Sequence, residues 1–534
     1  NQYDSTKGVG DFSSSVSTPS RILSFFGRLN YNLMERYLLT VTFRADGSSK
    51  FAPSNRWGYF PAAALGWRMS EEAFLNDVDW LDNLKLRVSY GEVGNDGINS
   101  SLWSQNWEAT SDKRYQGAVN GAFLPSYSLG ADMANKDLKW ETTITRNIGV
   151  DFGFFNSRLT GTIDAYWNTT KDLLMKTAIP GITGFTSTYA NVGQTSNKGI
   201  EIALQGVLVK TRDWNVTAGF NINFNRGKVD KLADNVTGLY GTEWATSSTF
   251  PKSDYVLKEG RPVGLVRGLT ADGFYTTDDF TYENGVYTLK EGVADVSSAV
   301  FPNYHLHNGM NERPAGQLAY PGMAKFKDLN DDGIINDDDV DVIGDMTPVH
   351  TGGFNINATY KNFDLGLYFN WSYGNEIYNV NKLAALYGYK EGAVYENKLS
   401  IVKDCYKIYD VVNGELVALT TPEQLNAANA NAKLPLAYSE NGYVSTLGIE
   451  DGSYLRLNTL TLGYTLPKSM LQKAGISNLR VYGSIYNVFT ITGYSGIDAE
   501  VSTSTSTKTY PQLGMDWGTY PRARSFVLGV NLSF

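Results

Sequence analysis

The chain has 534 residues and a formal net charge of -9, set by 46 Lys and Arg against 55 Asp and Glu. No basic block stands out, which argues against nucleic acid as a partner; the single Cys405 excludes an internal disulfide or a CxxC site, and His305, His307 and His350 are too few for most metal-hydrolase or triad constellations. No stretch approaches the ~18 apolar residues of a spanning helix, so the length allows several ordinary domains or one very large barrel.

The first residues, NQYDSTKGVGDFSSSVSTPSR, lack an initiator Met and the basic and apolar regions of a signal peptide, so such a peptide is expected to have been removed or the chain to start mid-protein. Alternation begins at residue 21. Phe25, Gly27, Leu29, Tyr31 and Leu33 alternate with Phe26, Arg28, Asn30 and Asn32; after Met34 and Glu35, the set Tyr37, Leu39, Val41 and Phe43 alternates with Thr40, Thr42 and Arg44. Two strands with so short a turn predict a hairpin. Period-2 segments follow at 57–68, 84–93, 147–155, 159–173, 199–209, 214–225, 353–360, 363–371, 457–466, 479–488 and 525–534. The segment WNVTAGFNINFN keeps its alternation from Trp214 to Asn225, close to the ~9–11 residues of a tilted membrane strand. In the last segment Phe526, Leu528, Val530, Leu532 and Phe534 share one face.

Each segment has one apolar face and one carrying Asn, Thr, Arg, Asp, Ser or Gly. This is the apolar-out, polar-in pattern of an outer-membrane barrel, with a β-sandwich as the alternative because soluble sheets also alternate. Connections separate the two. Turns at 34–35, 156–158, 210–213 and 361–362 are short, whereas about 94–143, 227–352 and 372–453 are long, as expected for periplasmic turns and extracellular loops. Counting back from a terminal strand that descends to the periplasm, residues 1–20 fall in an extracellular loop segment and 21–534 form barrel wall. An odd number of strands beginning with a descending one implies that part of the barrel lies outside this sequence.

One local motif suggests a metal. DLNDDGIINDDD places Asp328, Asn330, Asp332, Ile334 (through its carbonyl), Asn336 and Asp339 at calcium-loop spacing, with Gly333 at the sharp turn. Hard oxygens at that spacing fit a structural Ca2+; the departure is Asp339 where Glu is usual, and the plain alternative is a solvated Asp/Asn turn. His305 and His307 make a weak metal pair. Trp103, Trp107, Tyr304 and Tyr320 are candidates for stacking on sugars, or for packing the loops. No GxxxxGK[ST] or GxSxG element is present and no carboxylate dyad stands out, so an enzyme is not expected.

Several stretches then carry a resemblance. RYLLTVTFRADGSSKFAPSNRWGYFPAAALGW, LKLRVSYGEVGND, LKWETTITRNIGVDFGFFNSRLTGTIDAYWNTTKDLL, NVGQTSNKGIEI, DLNDDGIIN, DGSYLRLNTLTLGYTLP and LRVYGSIYNVFTITGYSGIDAEV together resemble the SusC/RagA family of TonB-dependent outer-membrane transporters. Ala499 departs from the Pro usual in the family's Asp-Pro-Glu turn. The resemblance implies an all-β, transmembrane antiparallel β-barrel of roughly 22 strands with a plugged lumen, of which this chain is the C-terminal part, with the plug and TonB box elsewhere. It implies energised import of oligomeric nutrients, glycan oligosaccharides first and oligopeptides as the alternative, across the outer membrane of a Gram-negative, Bacteroidota-like cell. The implied partners are a SusD-like surface lipoprotein, the TonB-ExbB-ExbD complex through the missing N-terminal part, a separate plug-bearing fragment of a clipped chain, and outer-membrane lipid. A passive porin is the rival reading, against which the long loops argue. Alternation nominates Arg28, Asn30, Arg87, Asp151, Asp164, Asn221 and Asn223 as lumen residues.

Overall fold

The structure is a computed structural model that describes residues 20–534 apart from 106, 111–117, 120–121, 124–125, 131, 235, 246–248, 302–312, 387–398, 438–441, 472–474 and 504–511. The expected loop segment 1–20 (but for residue 20), His305, His307 and Tyr304 therefore lie outside the described residues.

Thirteen strands form one antiparallel sheet, each hydrogen-bonded to its neighbours in chain order. They are β1 (Ile22–Leu33), β2 (Tyr37–Ser48), β3 (Trp57–Arg68), β4 (Leu81–Asn95), β5 (Glu141–Phe154), β6 (Leu159–Lys171) and β7 (Gln194–Lys210). The rest are β8 (Trp214–Lys231), β9 (His350–Tyr360), β10 (Phe363–Tyr373), β11 (Tyr454–Thr465), β12 (Asn478–Thr492) and β13 (Ser525–Ser533). β1 and β13 are the edges of this sheet. Among the described residues no helix is long and apolar enough to cross a membrane.

Because residues directly opposite in a ladder point to the same side, the register propagates one polarity across the sheet. Arg87 opposes Gly149, Gly149 opposes Asp164, Asp164 opposes Glu201 and Glu201 opposes Asn223. That is the polar face. The other face is apolar between the strand ends: Phe220 opposes both Leu204 and Phe354, and Phe354 opposes Phe369. Its side chains are open, with Leu528 90% and Leu29 61% exposed, a surface that water would not tolerate and hydrocarbon would.

Aromatic residues close the apolar band at both ends. Near the short turns Trp214 meets Tyr360 at 4.4 Å and Phe363 meets Tyr464 at 4.7 Å. At the far end Phe224 packs on His350 at 5.4 Å and His350 stacks on Tyr373 at 5.0 Å, while the Trp371 indole N–H donates to His350 Nδ1 at 3.1 Å. Such rings sit where hydrocarbon gives way to headgroups.

The strands run further than the alternation predicts. β8 extends to Lys231 and β4 to Asn95, because the hydrogen-bond ladder continues after the outward positions turn polar at Arg226 and Lys228. The long connections are also more than loops. Segments from 250–335 and 406–443 share one buried core in which Leu269, Tyr275, Tyr287, Tyr320, Ile335 and Leu425 are fully enclosed. A second core joins Tyr255, Val266 and Met346 to Tyr378, Leu383, Val444 and Met515.

Candidate functional site on the polar face

Arg87 lies on the polar face of β4. Its Nε donates to Asp151 Oδ2 at 2.9 Å, and Nη2 donates to Asp151 Oδ1 at 2.8 Å. Nη1 and Nη2 also reach Asp164, at 3.0 and 2.9 Å, and Lys85 stands 3.8 Å from Asp151. Asp164 is two strands from Arg87, with β5 between them. The contact exists because the intervening residue is Gly149, where a Cβ would sit 2.3 Å from Asp164 Oδ1 and 2.7 Å from Arg87 Nη2. The same device recurs at Gly463, where a Cβ would lie 2.4 Å from Asp364 Oδ1, and Arg480 Nε donates to that oxygen at 2.8 Å. Bidentate guanidinium-carboxylate pairs of this kind fix geometry as well as charge.

Toward the short-turn end the face is hollowed into a cleft of about 610 Å³, lined by Asn83, Asp151, Thr160, Thr162, Gln205, Asn221 and Asn355 among others. A small residue in each of two opposed pairs leaves room for the hollow: Gly153 opposes Thr160, and Ala203 opposes Asn221. The lining offers amide and hydroxyl donors and acceptors with one carboxylate, which suits a polyhydroxylated or peptide-like ligand better than an apolar one.

Of the lumen residues expected from alternation, Asp151 and Asn221 line this cleft, Arg87 and Asp164 join the ion network, and Asn223 lies on the same face opposite Glu201. Arg28 and Asn30 sit on the polar side of β1, away from the cleft, where Asn30 accepts a hydrogen bond from Thr40 at 3.0 Å. Sequence reasoning missed Asn83, Gln205 and Asn355, although their parity within each strand marks them. It also missed a second ion cluster, in which buried Arg456 on β11 contacts Asp498 and donates to Glu500 at 2.8 Å, while Arg522 reaches the same pair. That cluster ties the connection after β12 to the wall.

The 328–339 turn is closed by its own bonds. The Gly333 N–H donates to Asp328 Oδ2 at 2.7 Å and the Ile334 N–H to Asp332 Oδ1 at 2.9 Å. Fully buried Asp339 accepts from Leu329 N–H at 2.7 Å and Asn336 N–H at 2.8 Å. Gly333 takes φ +83°, as the sharp turn requires. Among the described residues no three His, Cys, Asp or Glu side chains converge as metal ligands. Of the loop aromatics, Tyr320 is buried against Tyr287 at 5.5 Å and so packs the core, whereas Trp107 is 65% exposed.

The family described as TonB dependent receptor-like, beta-barrel, matches residues 1–488. TonB-dependent receptor P3 of Formosa agariphila is 31% identical over 98% of this chain, which spans 46% of that protein. TonB-dependent receptor SusC of Bacteroides thetaiotaomicron is 32% identical over 97% of the chain, which spans 44% of it. Among solved structures, the RagAB peptide transporter superposes with a TM-score of 0.70 at 24% identity, covering 98% of this chain and 50% of that one. The chain thus spans about half the length of the proteins it matches.

Proposed function

The chain belongs to the SusC/RagA family of TonB-dependent outer-membrane transporters, and from that premise we propose that it forms the C-terminal wall of an energised importer of oligomeric nutrients, with glycan oligosaccharides as the cargo. One observation carries the reading: a continuous polar face, hollowed at Asn83, Thr160, Thr162, Gln205, Asn221 and Asn355, backs onto a continuous apolar face. A wall of that polarity holds a watery path inside hydrocarbon, and its neutral amides and hydroxyls match sugar hydroxyls. In this reading the long connections face outward and meet a SusD-like lipoprotein, while TonB acts through segments that are not in this sequence. The wall guides cargo and catalyses nothing.

The experiment is uptake by cells carrying the full-length protein, with and without TonB, offered labelled oligosaccharides and oligopeptides in parallel. TonB-dependent uptake of a glycan supports the proposal. Oligopeptide uptake alone replaces the glycan with the cargo class of the RagAB peptide transporter, and uptake without TonB returns the reading to a passive pore.

We also read the 328–339 turn as a structural calcium loop. Support comes from the spacing of Asp328, Asn330, Asp332, Asn336 and Asp339 along a turn whose backbone already adopts the sharp bend at Gly333. Calcium titration of the purified protein followed by Tb3+ luminescence tests it; no signal above that of Asp328→Asn would remove the site.

A further inference from the structure

On the apolar side, at the end bearing the long connections, one row of directly opposed residues crosses β4 to β8: Tyr90, Arg146, Trp167, Lys198 and Arg226. The row beneath is Val88, Ile148, Ala165, Ile200 and Phe224, without a polar side chain. Three cations therefore stand on the first step above the apolar wall and project to the same side.

No ion pair neutralises them among the described residues. Lys198 and Arg226 oppose each other directly, an arrangement that destabilises a sheet unless something anionic sits against it. Among the described residues none of the three forms an ion pair, whereas Lys228, further along β8, is paired with Asp230 at 3.3 Å. Two carboxylates of this face are engaged elsewhere: Glu92 accepts the Tyr90 hydroxyl at 2.5 Å, and Asp230 accepts the Ser196 hydroxyl at 2.8 Å and pairs with Lys228. The cations are also held in place: Arg226 Nη1 donates to the Pro348 carbonyl at 2.6 Å, and Arg146 Nη1 to Thr169 Oγ1 at 3.5 Å. Trp167, 47% exposed, sits between Arg146 and Lys198 as an interfacial ring does.

We propose that this row binds the phosphorylated headgroup of an outer-leaflet lipid whose acyl chains lie along the Ile148, Ile200 and Phe224 wall. Charge and continuity commit it to lipid: the cations fit phosphate oxygens, and the apolar surface begins one row below, where a free anion would leave it uncovered. The proposal depends on the long-connection end facing outward, so Asn413→Cys, in an exposed hairpin turn, is labelled on intact cells as a control. Labelling only after the outer membrane is breached would overturn it.

The test is native mass spectrometry of the full-length transporter in detergent, offered bisphosphorylated lipid A, the same lipid dephosphorylated, or inorganic phosphate. Wild type should retain the phosphorylated lipid, the triple variant R146Q/K198Q/R226Q should retain roughly ten- to a hundredfold less, and Lys361→Gln at a short turn should change nothing. K198Q alone, expected to lose several-fold, serves if the triple variant fails to fold. Equal retention by wild type and variants, equal binding of the dephosphorylated lipid, or binding of inorganic phosphate alone would overturn the proposal.

Discussion

The barrel wall and the packed connections are built from the same residue types with opposite polarity. In the wall, Leu, Ile, Phe and Trp point out and the ion network of Arg87, Asp151 and Asp164 points in; in the connections, Tyr275, Tyr287, Tyr320 and Leu425 are enclosed. The difference shows that burial is defined by the solvent each region meets. One chain satisfies lipid on one side of a sheet and water around a separate core, and substitutions should sort accordingly.

The largest expected effect is in the connections. Tyr287→Ala empties a site where the ring is fully enclosed and the hydroxyl donates to the Thr420 carbonyl at 3.1 Å, costing about 3–5 kcal/mol. Limited proteolysis should then cut the connections while the heat-modifiable gel shift of the barrel stays unchanged; loss of both together would mean that the two regions do not unfold separately. Next is the wall. Ile163→Arg places a cation on the lipid face, where Ile163 is 43% exposed, and should cost about 2–4 kcal/mol of barrel stability in bilayers, with little change in proteolysis of the connections.

An alkaline pH effect is expected in the connections. Burial, with the Asp404 charge adding to it, pushes the Cys405 thiol from 9.0 up to about 11. The folded state therefore holds this proton more tightly than the unfolded chain, so its contribution to stability is complete below about 9 and is lost as pH rises through about 11. That loss is at most roughly 3 kcal/mol. Alkylation of Cys405 at pH 8 should be slow in the native protein and fast after denaturation, and fast native labelling would show that this core opens freely. The smallest effect is expected on the polar face. Arg87→Gln removes five hydrogen bonds to partly solvated carboxylates, and screening holds the cost to about 1–2 kcal/mol. Gel-shift temperature would register it, and a drop as large as that of Ile163→Arg would place the network in a drier setting than its exposure indicates.

The wall was legible in the sequence because period 2 is written residue by residue; Phe526, Leu528, Val530, Leu532 and Phe534 need no partner to reveal their common face. The ends of β8 and β4 were not, since Arg226 and Lys228 interrupt the hydrophobic signal while the ladder continues. The connections hid their core for a different reason: Tyr287 and Tyr320 come together from turns and very short strands, and no period marks them. Within the cleft, Asp151 and Asn221 followed from alternation. Parity alone puts Gln205 and Asn355 on the same face, but their meeting in one cleft needed the register between strands, which a single strand does not contain, and Gly149 reads as an ordinary glycine until Arg87 and Asp164 are seen to meet across it.

That meeting has a consequence for assembly. A slip of one residue in the pairing of β4 with β5 would turn Arg87 or Asp151 toward hydrocarbon and break a bond spanning three strands. The network therefore favours one alignment of these three strands: only the correct pairing lets the guanidinium find both carboxylates, and a one-residue slip leaves a charge on the apolar face.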